Sequence, residues 1–421
     1  MIRVCDAIMG SGKSSAAITY MNEHCTDKFI YITPYLDEAA RIKANCPLLH
    51  FVEPSKGIAE YGFSKTGHTL ALLAEGRNIA TTHQAFLYYT QETLDLISQK
   101  GYKLIIDENV NVLEKCAFPL GDLQTCVRAG YIAEHADGRY ELVDDSYSGT
   151  AFTHVFRMLR SRELLRDPDD DEHVHYWALP PALIKSFSDV FILTYLFDGQ
   201  DIHHFLEMYQ IAYKRIGVCK GSDGVFRFAD DNFYIPDYVG ELGKHIHIYD
   251  NPKMNAIGDG FYDLSMNWFS RSDNVTKLKS NVYNYFRNIM GDDTSALRMW
   301  GTYDNAQTQL RGRGYSNKFV IFNEKATNKY RDRNVLVYAV NLFMNAGQKR
   351  FYQKRGVNVS DDIYALSSMV QWIWRSAIRD GGEVYIYIPS SRMRGLLIRW
   401  IAEVEDQHRQ YIANTTRKEA C

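Results

Sequence analysis

One stretch near the start of the chain, Ala7-Ile8-Met9-Gly10-Ser11-Gly12-Lys13-Ser14, limits the possible folds more than any other feature of the sequence. A short apolar strand pattern precedes it, and a helical pattern begins at Ser15. Strand, glycine turn and helix start form the context of a P-loop, with Ala7 in place of the usual first glycine. The glycines let backbone N–H groups face phosphate oxygens, and the helix N-terminus adds positive potential. The stretch therefore predicts a nucleoside triphosphate site.

Within this stretch, two side chains have predicted chemical roles. Lys13 can reach the β- and γ-phosphates, and the Ser14 hydroxyl can ligate Mg²⁺. We therefore expect ATP and Mg²⁺ to bind. The predicted nucleotide-binding residues are Gly10, Ser11, Gly12, Lys13, Ser14 and Ser15.

Composition excludes several classes of protein. The 421 residues are 46% hydrophobic and 24% charged, which indicates a globular chain of two or three domains. The net charge is −3, so binding of nucleic acid would need a local basic track. The seven cysteines are scattered and there is no signal peptide, so we expect a cytoplasmic protein. No apolar run approaches the roughly 20 residues that cross a bilayer, so we expect no membrane partner.

Apolar strand patterns alternate with helical patterns over most of the chain, which predicts a doubly wound α/β fold. Near-continuous apolar runs, such as 102–106 and 190–194, are typical of parallel strands covered on both faces. In the last part of the chain the patterns predict a strand over 318–322 and a helix over 361–378. Regularity fades between residues 109 and 188, which predicts an irregular insertion.

The strand at 102–106 is followed by two carboxylates, Asp107 and Glu108. At the carboxyl end of such a strand, Asp107 would hold Mg²⁺ and Glu108 would polarise the attacking water. Acidic pairs after strands are also common helix N-caps, but the P-loop upstream favours the catalytic interpretation.

A third group of polar residues lies near the end of the chain. Gln371, Arg375 and Arg379 are spaced i, i+4 and i+8, so the predicted helix places them on one face. Two guanidinium groups on one face suit the charge that develops on a transferring phosphoryl group. The alternative is a solvated basic stripe. We predict that all three residues are catalytic, together with Lys13 and Glu108.

Taken together, these motifs resemble superfamily 2 helicases, particularly the short DEAD-like helicases encoded by bacteriophages. The resemblance implies that Gln371, Arg375 and Arg379 form motif VI, whose arginines reach across a cleft between domains. It also implies that Thr194 couples the ATP site to the nucleic-acid track. The resemblance further implies that nucleic acid is contacted by Thr33, Pro34, Thr82 and His83.

Further nucleic-acid contacts are expected in the densest basic region, around residues 325–333. Small polar residues interleaved with Lys and Arg suit the tracking of phosphates, although a solvated loop has the same composition. The residues chosen there are Thr327, Asn328 and Lys329.

The chain departs from the family pattern in several places. The Asp107-Glu108 pair is followed by Asn-Val, and Arg375 and Arg379 are four apart where three is usual. The P-loop begins at residue 7, which leaves no room upstream for the glutamine motif that reads adenine. Base selectivity is therefore expected to be loose or to come from another part of the chain.

The resemblance implies two RecA-like doubly wound domains, with an irregular insertion in the first and an aromatic-rich connecting region. The predicted ranges are 1–200 for the first domain, with its insertion at about 110–188, 201–243 for the connecting region, and 244–421 for the second domain. The expected function is an ATP-dependent helicase or translocase that acts on single-stranded or forked nucleic acid in phage replication or recombination. DNA is expected as the substrate in preference to RNA. Replication or recombination proteins are expected partners, in the host cytoplasm. The alternative is a P-loop ATPase that packages or remodels nucleic-acid complexes without separating strands.

Overall fold

The computed structural model describes residues 1–57, 64–167, 174–231, 233–323 and 329–419. The strands are β1 Ile2–Asp6, β2 Phe29–Thr33, β3 Ile79–Thr82, β4 Lys103–Asp107, β5 Leu113–Lys115, β6 Ile132–Glu134, β7 Arg139–Leu142, β8 Glu163–Arg166, β9 His175–Ala178, β10 Asp189–Thr194, β11 Tyr213–Lys220, β12 Phe226–Ala229, β13 Ile246–Tyr249, β14 Arg298–Gly301, β15 Val335–Tyr338 and β16 Val384–Tyr387. The helices are α1 Lys13–Glu23, α2 Leu36–Asn45, α3 Lys65–Ala74, α4 His83–Phe86, α5 Gln91–Lys100, α6 Leu120–Arg128, α7 Thr153–Leu159, α8 Pro181–Lys185, α9 Asp201–Met208, α10 Leu242–His245, α11 Pro252–Asn255, α12 Ser272–Asn284, α13 Asp304–Leu310, α14 Ala346–Lys354, α15 Asp361–Ile373 and α16 Ser391–Glu419.

The first domain is built on a seven-stranded sheet in the order β12-β11-β1-β10-β4-β2-β3. All neighbours are parallel except β12, which runs antiparallel to β11 at the edge. Apolar side chains pack on both faces of this sheet, so the central strands have almost no polar positions. The carboxyl ends of β1, β2, β3, β4 and β10 lie at one edge, where ligands of such sheets bind.

The second domain has a four-stranded parallel sheet in the order β13-β16-β15-β14. Its helices and sheet enclose the largest apolar cluster of the described chain. With the first sheet, this confirms the prediction of two doubly wound α/β domains. The exact domain boundaries stay a prediction.

The insertion differs from its prediction, because it is a folded unit and not an irregular one. Between β4 and β10 the chain forms a five-stranded antiparallel sheet in the order β5-β9-β8-β7-β6. Helices α6 and α7 contribute to an apolar cluster of its own, which includes Phe156, Leu164 and Trp177. Its strands have only three or four residues, too few for a period-two pattern to be read from the sequence.

The insertion also packs against the second domain, along a surface that we call the seam. The seam is an apolar cluster in which Leu113, Leu165 and Tyr176 of the insertion meet Phe351 and Tyr352 of α14. The Tyr176 and Phe351 rings lie 4.7 Å apart.

An ion pair borders the seam. Lys354 Nζ donates to Asp167 Oδ1 at 2.9 Å, and the Asp167 carboxylate is buried. The insertion is therefore rooted in the first domain and packed on the second.

Three further elements differ from the predicted ones. Within the range predicted to connect the domains, 201–243, strands β11 and β12 extend the first sheet. The apolar run at 318–322 makes only an isolated bridge at Phe319, because Phe319 and Phe322 pack as core rings against Trp300 and Tyr303. Helix α15 ends at Ile373, and a short 3-10 turn follows at Ala377–Asp380.

Candidate nucleotide site between the domains

A cavity of about 430 Å³ lies between the two domains at the carboxyl edge of the first sheet. Both domains line it. The predicted site residues on its wall are Gly10, Gly12, Lys13, Ser14, Ser15, Asp107, Glu108, Thr194, Gln371, Arg375 and Arg379. Ser11 is buried within the P-loop turn and is not part of the wall. Residues more than 360 positions apart in the sequence are thus brought to one cleft.

The P-loop backbone depends on glycine at two positions. Gly10 and Gly12 have φ of 83° and 88°, in the left-handed region that disfavours side chains. Neighbouring rings also leave no space for a Cβ. A Cβ on Gly12 would lie 2.4 Å from Phe226 Cδ1, and one on Gly10 would lie 2.6 Å from Tyr238 Oη.

Lys13 begins α1 and turns back over the loop. Its Nζ donates to Ile8 O at 3.0 Å and also to Ala7 O. Burial lowers the pKa of Lys13, and the negative charges of Asp107 and Glu108 oppose that shift. These carbonyl partners hold the ammonium where phosphate oxygens would meet the loop N–H groups.

Asp107, at the end of β4, joins the P-loop to the strand beside it. Its Oδ2 accepts from Ser14 Oγ at 3.3 Å and from Tyr31 Oη at 2.6 Å. Burial raises the pKa of Asp107 to about 6, while the Tyr31 hydrogen bond acts in the opposite direction. Hydroxyl and carboxylate oxygens are the ligands that Mg²⁺ prefers, so this pair fits the ion.

Glu108 faces an arginine of the second domain. Arg375 Nη2 lies 4.0 Å from Glu108 Oε2, and the Arg375 side chain is 5% exposed. Glu108 has a φ of 65°, which is rare outside glycine and costs about 1–3 kcal/mol. The left-handed residue turns the chain at the end of β4, and its N–H donates to Leu193 O at 3.0 Å.

The three residues predicted to share one helix face all line the cavity, but they lie on different elements. Gln371 is on α15, whose end at Ile373 leaves Arg375 in the turn that follows and Arg379 in the 3-10 turn. The prediction of a continuous helix was wrong because the chain bends after Trp374, a buried residue packed on Trp400. Arg375 is consequently buried in the cavity, whereas Arg379 is exposed at its rim.

Thr194 connects the cavity to the second domain through hydrogen bonds. Thr194 Oγ1 donates to Gln200 Oε1 at 2.6 Å, and Gln200 Nε2 donates to Tyr195 O at 2.9 Å. The Tyr195 hydroxyl accepts from Trp400 Nε1, on α16, at 2.9 Å. The residue expected to couple the two sites thus lies on a short polar path between domains.

The predicted nucleic-acid contacts are dispersed. The Thr33 and His83 side chains are buried, and His83 Nε2 lies 2.8 Å from Asp107 O. Their contact with nucleic acid stays a prediction. Pro34 and Thr82 are half-buried, and Thr82 Oγ1 caps α4.

The three contacts chosen in the basic region have different outcomes. Lys329 is exposed. Thr327 and Asn328 lie outside the described residues.

Several wall residues were missed by sequence reasoning. Arg41 and Glu38 are wall residues, and because Arg41 Nε donates to Glu38 at 2.7 Å within one helix, the sequence suggests only a solvated helix pair. Arg331 belongs to the basic region assigned to nucleic acid, yet it lines the cavity and its Nε donates to Asp380 Oδ2 at 2.8 Å. The other missed wall residues include Phe226 and Trp374.

The fold and the site define a two-domain α/β protein whose domains share one cavity. Residues 240–401 match the family model described as the YonV C-terminal Rossmann-like domain. The chain belongs to the YonV family: it is 35% identical over 415 residues to the SPbeta prophage-derived uncharacterized protein YonV of Bacillus subtilis strain 168, covering 95% of this chain and 98% of that protein.

Among solved structures, the chain aligns with an XPD helicase at a TM-score of 0.47 and 10% identity, over 96% of this chain and 95% of that one. It also aligns with Xpd4 of S. tokodaii at a TM-score of 0.49 and 12% identity, over 95% and 94% of the two chains. At these scores the likeness does not assign an activity. Among the helices that the structure describes, none is both long and apolar enough to cross a membrane.

Proposed function

We propose that this protein is an ATP-hydrolysing translocase or helicase that acts on single-stranded or forked nucleic acid, with DNA as the expected substrate. One observation carries the proposal. The P-loop and the two carboxylates at the end of β4, Asp107 and Glu108, face Arg375 of the second domain across a single cavity. A nucleotide bound there would contact both domains, so its hydrolysis would change their relative position.

The predicted site residues on the wall have proposed roles. The N–H groups of residues 10–15 and the Lys13 ammonium bind phosphate oxygens. Ser14 and Asp107 would hold Mg²⁺, which when bound neutralises phosphate charge. Glu108 orients the attacking water and accepts its proton at a carboxylate oxygen.

Arg375 is the proposed arginine finger. Its guanidinium is buried and faces Glu108 at 4.0 Å, so it is already held at the cavity wall. A triphosphate brings several negative charges beside it, which stabilises the closed arrangement of the domains. Gln371 and the exposed Arg379 complete the second-domain wall.

The path from Thr194 through Gln200 and Tyr195 to Trp400 is the proposed route of coupling. A change at the phosphates reaches Thr194, the last residue of β10, at the same edge of the sheet as the P-loop. Nucleic acid is proposed to lie across the carboxyl edges of both sheets. Pro34, Thr82 and Lys329 are the described residues proposed to contact it, with Thr327 and Asn328 assigned by sequence alone.

The prophage origin of the YonV relative supports a role in phage DNA replication or recombination in the host cytoplasm. Replication or recombination proteins are the proposed partners. The name of that relative carries no activity, so the biochemical proposal rests on the site.

The test is steady-state ATP hydrolysis with Mg²⁺ at low salt, alone and with single-stranded DNA, single-stranded RNA or duplex. We expect strong stimulation by single-stranded DNA and displacement of a labelled strand from a fork. Lys13→Ala should abolish turnover and largely keep nucleic-acid binding, whereas Lys43→Ala, an exposed lysine of α2, should change neither.

Two results would contradict the proposal. A rate indifferent to every nucleic acid would remove the translocase and leave an ATPase activated by another partner. Stimulation without strand displacement would favour the alternative, an ATPase that packages or remodels nucleic-acid complexes.

A further inference from the structure

An aromatic side chain lies directly against the P-loop from an unexpected part of the chain. Strand β11 pairs with β1, which leads into the P-loop, and β12 folds back along β11. The hairpin therefore places Phe226, the first residue of β12, beside Gly12 at the start of α1. The 2.4 Å from Phe226 Cδ1 to a Cβ built on Gly12 measures how closely the ring approaches the loop.

The register of β12 fixes this ring in place. Phe226 and Phe228 point to the same face of the strand, since side chains alternate. Phe228 stacks on Phe191 with ring centroids 5.0 Å apart and anchors the hairpin beneath α1. Phe226, one step closer to the loop, is only half-buried and forms part of the cavity wall.

A second ring and a cation accompany Phe226. The Tyr234 ring lies 5.6 Å from it at an interplanar angle of 62°. Lys220 Nζ lies 5.7 Å from the Phe226 centroid and 5.6 Å from the Tyr234 centroid. We call these three residues the aromatic corner.

We infer that the aromatic corner is the platform for the nucleobase of the bound nucleotide. The inference rests on the proposed function, because it takes phosphates on the P-loop as its starting point. With phosphates on the loop N–H groups, the ribose and base must extend away from the β4 carboxylates. The cavity wall on the other side of the P-loop, towards β11 and β12, includes Phe226.

The chemistry of the corner sets the substrate class. A ring face stacks on any base, because every base has a π face, and stacking does not read the hydrogen-bonding edge. We therefore expect a nucleoside triphosphatase that accepts ATP and GTP alike. Loss of one stacked aromatic should weaken nucleotide binding by about 10- to 100-fold.

The experiment measures equilibrium binding of ATP, GTP and inorganic tripolyphosphate by calorimetry. The proteins are the wild type, Phe226→Ala, Phe226→Tyr and Phe261→Ala, the last being an exposed phenylalanine of the second domain. We expect Phe226→Ala to lose 10- to 100-fold affinity for ATP and GTP and to bind tripolyphosphate unchanged. Phe226→Tyr should restore both nucleotides, and Phe261→Ala should match the wild type.

Tripolyphosphate serves as the folding control, because it needs an intact P-loop but no platform. Unchanged ATP affinity in Phe226→Ala would overturn the inference. An equal loss for ATP and tripolyphosphate would also overturn it, since Phe226 would then only support the loop. If the wild type binds ATP but nucleic acid never stimulates hydrolysis, the proposed translocase function is wrong. The binding comparison between the wild type and Phe226→Ala still tests the nucleobase platform in that case.

Discussion

His204 makes the stability of this protein depend on pH in a way that one substitution should remove. The side chain is fully buried on α9, and its ring lies 5.2 Å from Tyr352 of α14 in the second domain. Burial, together with a smaller effect of the neighbouring His203, lowers the pKa of His204 to about 4. Asp198 acts in the opposite direction.

The sign follows from the protons bound in each state. The unfolded chain takes up a proton on this imidazole near pH 6.5, whereas the folded chain takes it up only near pH 4. The contribution of His204 to stability is therefore complete above pH 6.5 and is lost as the pH falls towards 4. The loss amounts to about 2 kcal/mol at pH 5 and roughly 3 kcal/mol at pH 4.

The assay is urea unfolding of the wild type and His204→Phe at pH 7.5 and pH 5.0. A phenyl ring keeps the contact with Tyr352 and cannot titrate, so the variant should lose about 2 kcal/mol less than the wild type between these pH values. His24→Gln, at an exposed histidine after α1, should follow the wild type. Equal pH dependence in the wild type and His204→Phe would refute the reasoning.

Three further predictions concern the site and the seam. Arg375→Ala should lower kcat for ATP hydrolysis by roughly 10³-fold or more, and Arg379→Ala, at an exposed rim position, should lower it less; steady-state kinetics compare them. Phe351→Ala should cost about 3–5 kcal/mol of unfolding free energy, measured in urea, because the ring is fully buried in the seam. Gly12→Ala should abolish measurable ATP binding in calorimetry, since the loop has a left-handed φ and no space for a Cβ.

Each of these predictions has a contrary outcome. Equal rates in the two arginine variants would mean that the buried Arg375 is no more important for hydrolysis than the exposed Arg379. A Phe351→Ala protein as stable as the wild type would mean that the seam is not a packed contact in solution. Normal ATP binding by Gly12→Ala would require a P-loop backbone different from the one described.

Local patterns predicted the parts of the fold that depend on neighbours in sequence. The P-loop and the end of β4 could be read because a strand, a turn and a helix start each leave a signal over a few residues. Contacts between distant residues leave no such signal. The ion pair of Arg331 with Asp380 spans 49 positions, so Arg331 was read as part of a basic surface and not of the cavity.

The sheet of the insertion and the aromatic corner were missed for different reasons. The insertion strands are too short to show a period, and only their pairing defines the sheet. Phe226 carries no signal of its own, because its position at the P-loop comes from the pairing of β11 with β1. The burial of Thr33 likewise depends on how the layers pack, which no local pattern shows.

The position of the insertion in the chain has a mechanical consequence. It follows β4 in the chain and comes before β10, which ends at Thr194. Its far side is fastened to α14 through the seam. A displacement of α14 relative to the first sheet would therefore act on β4 and β10, which flank the insertion in the chain and end at the cavity.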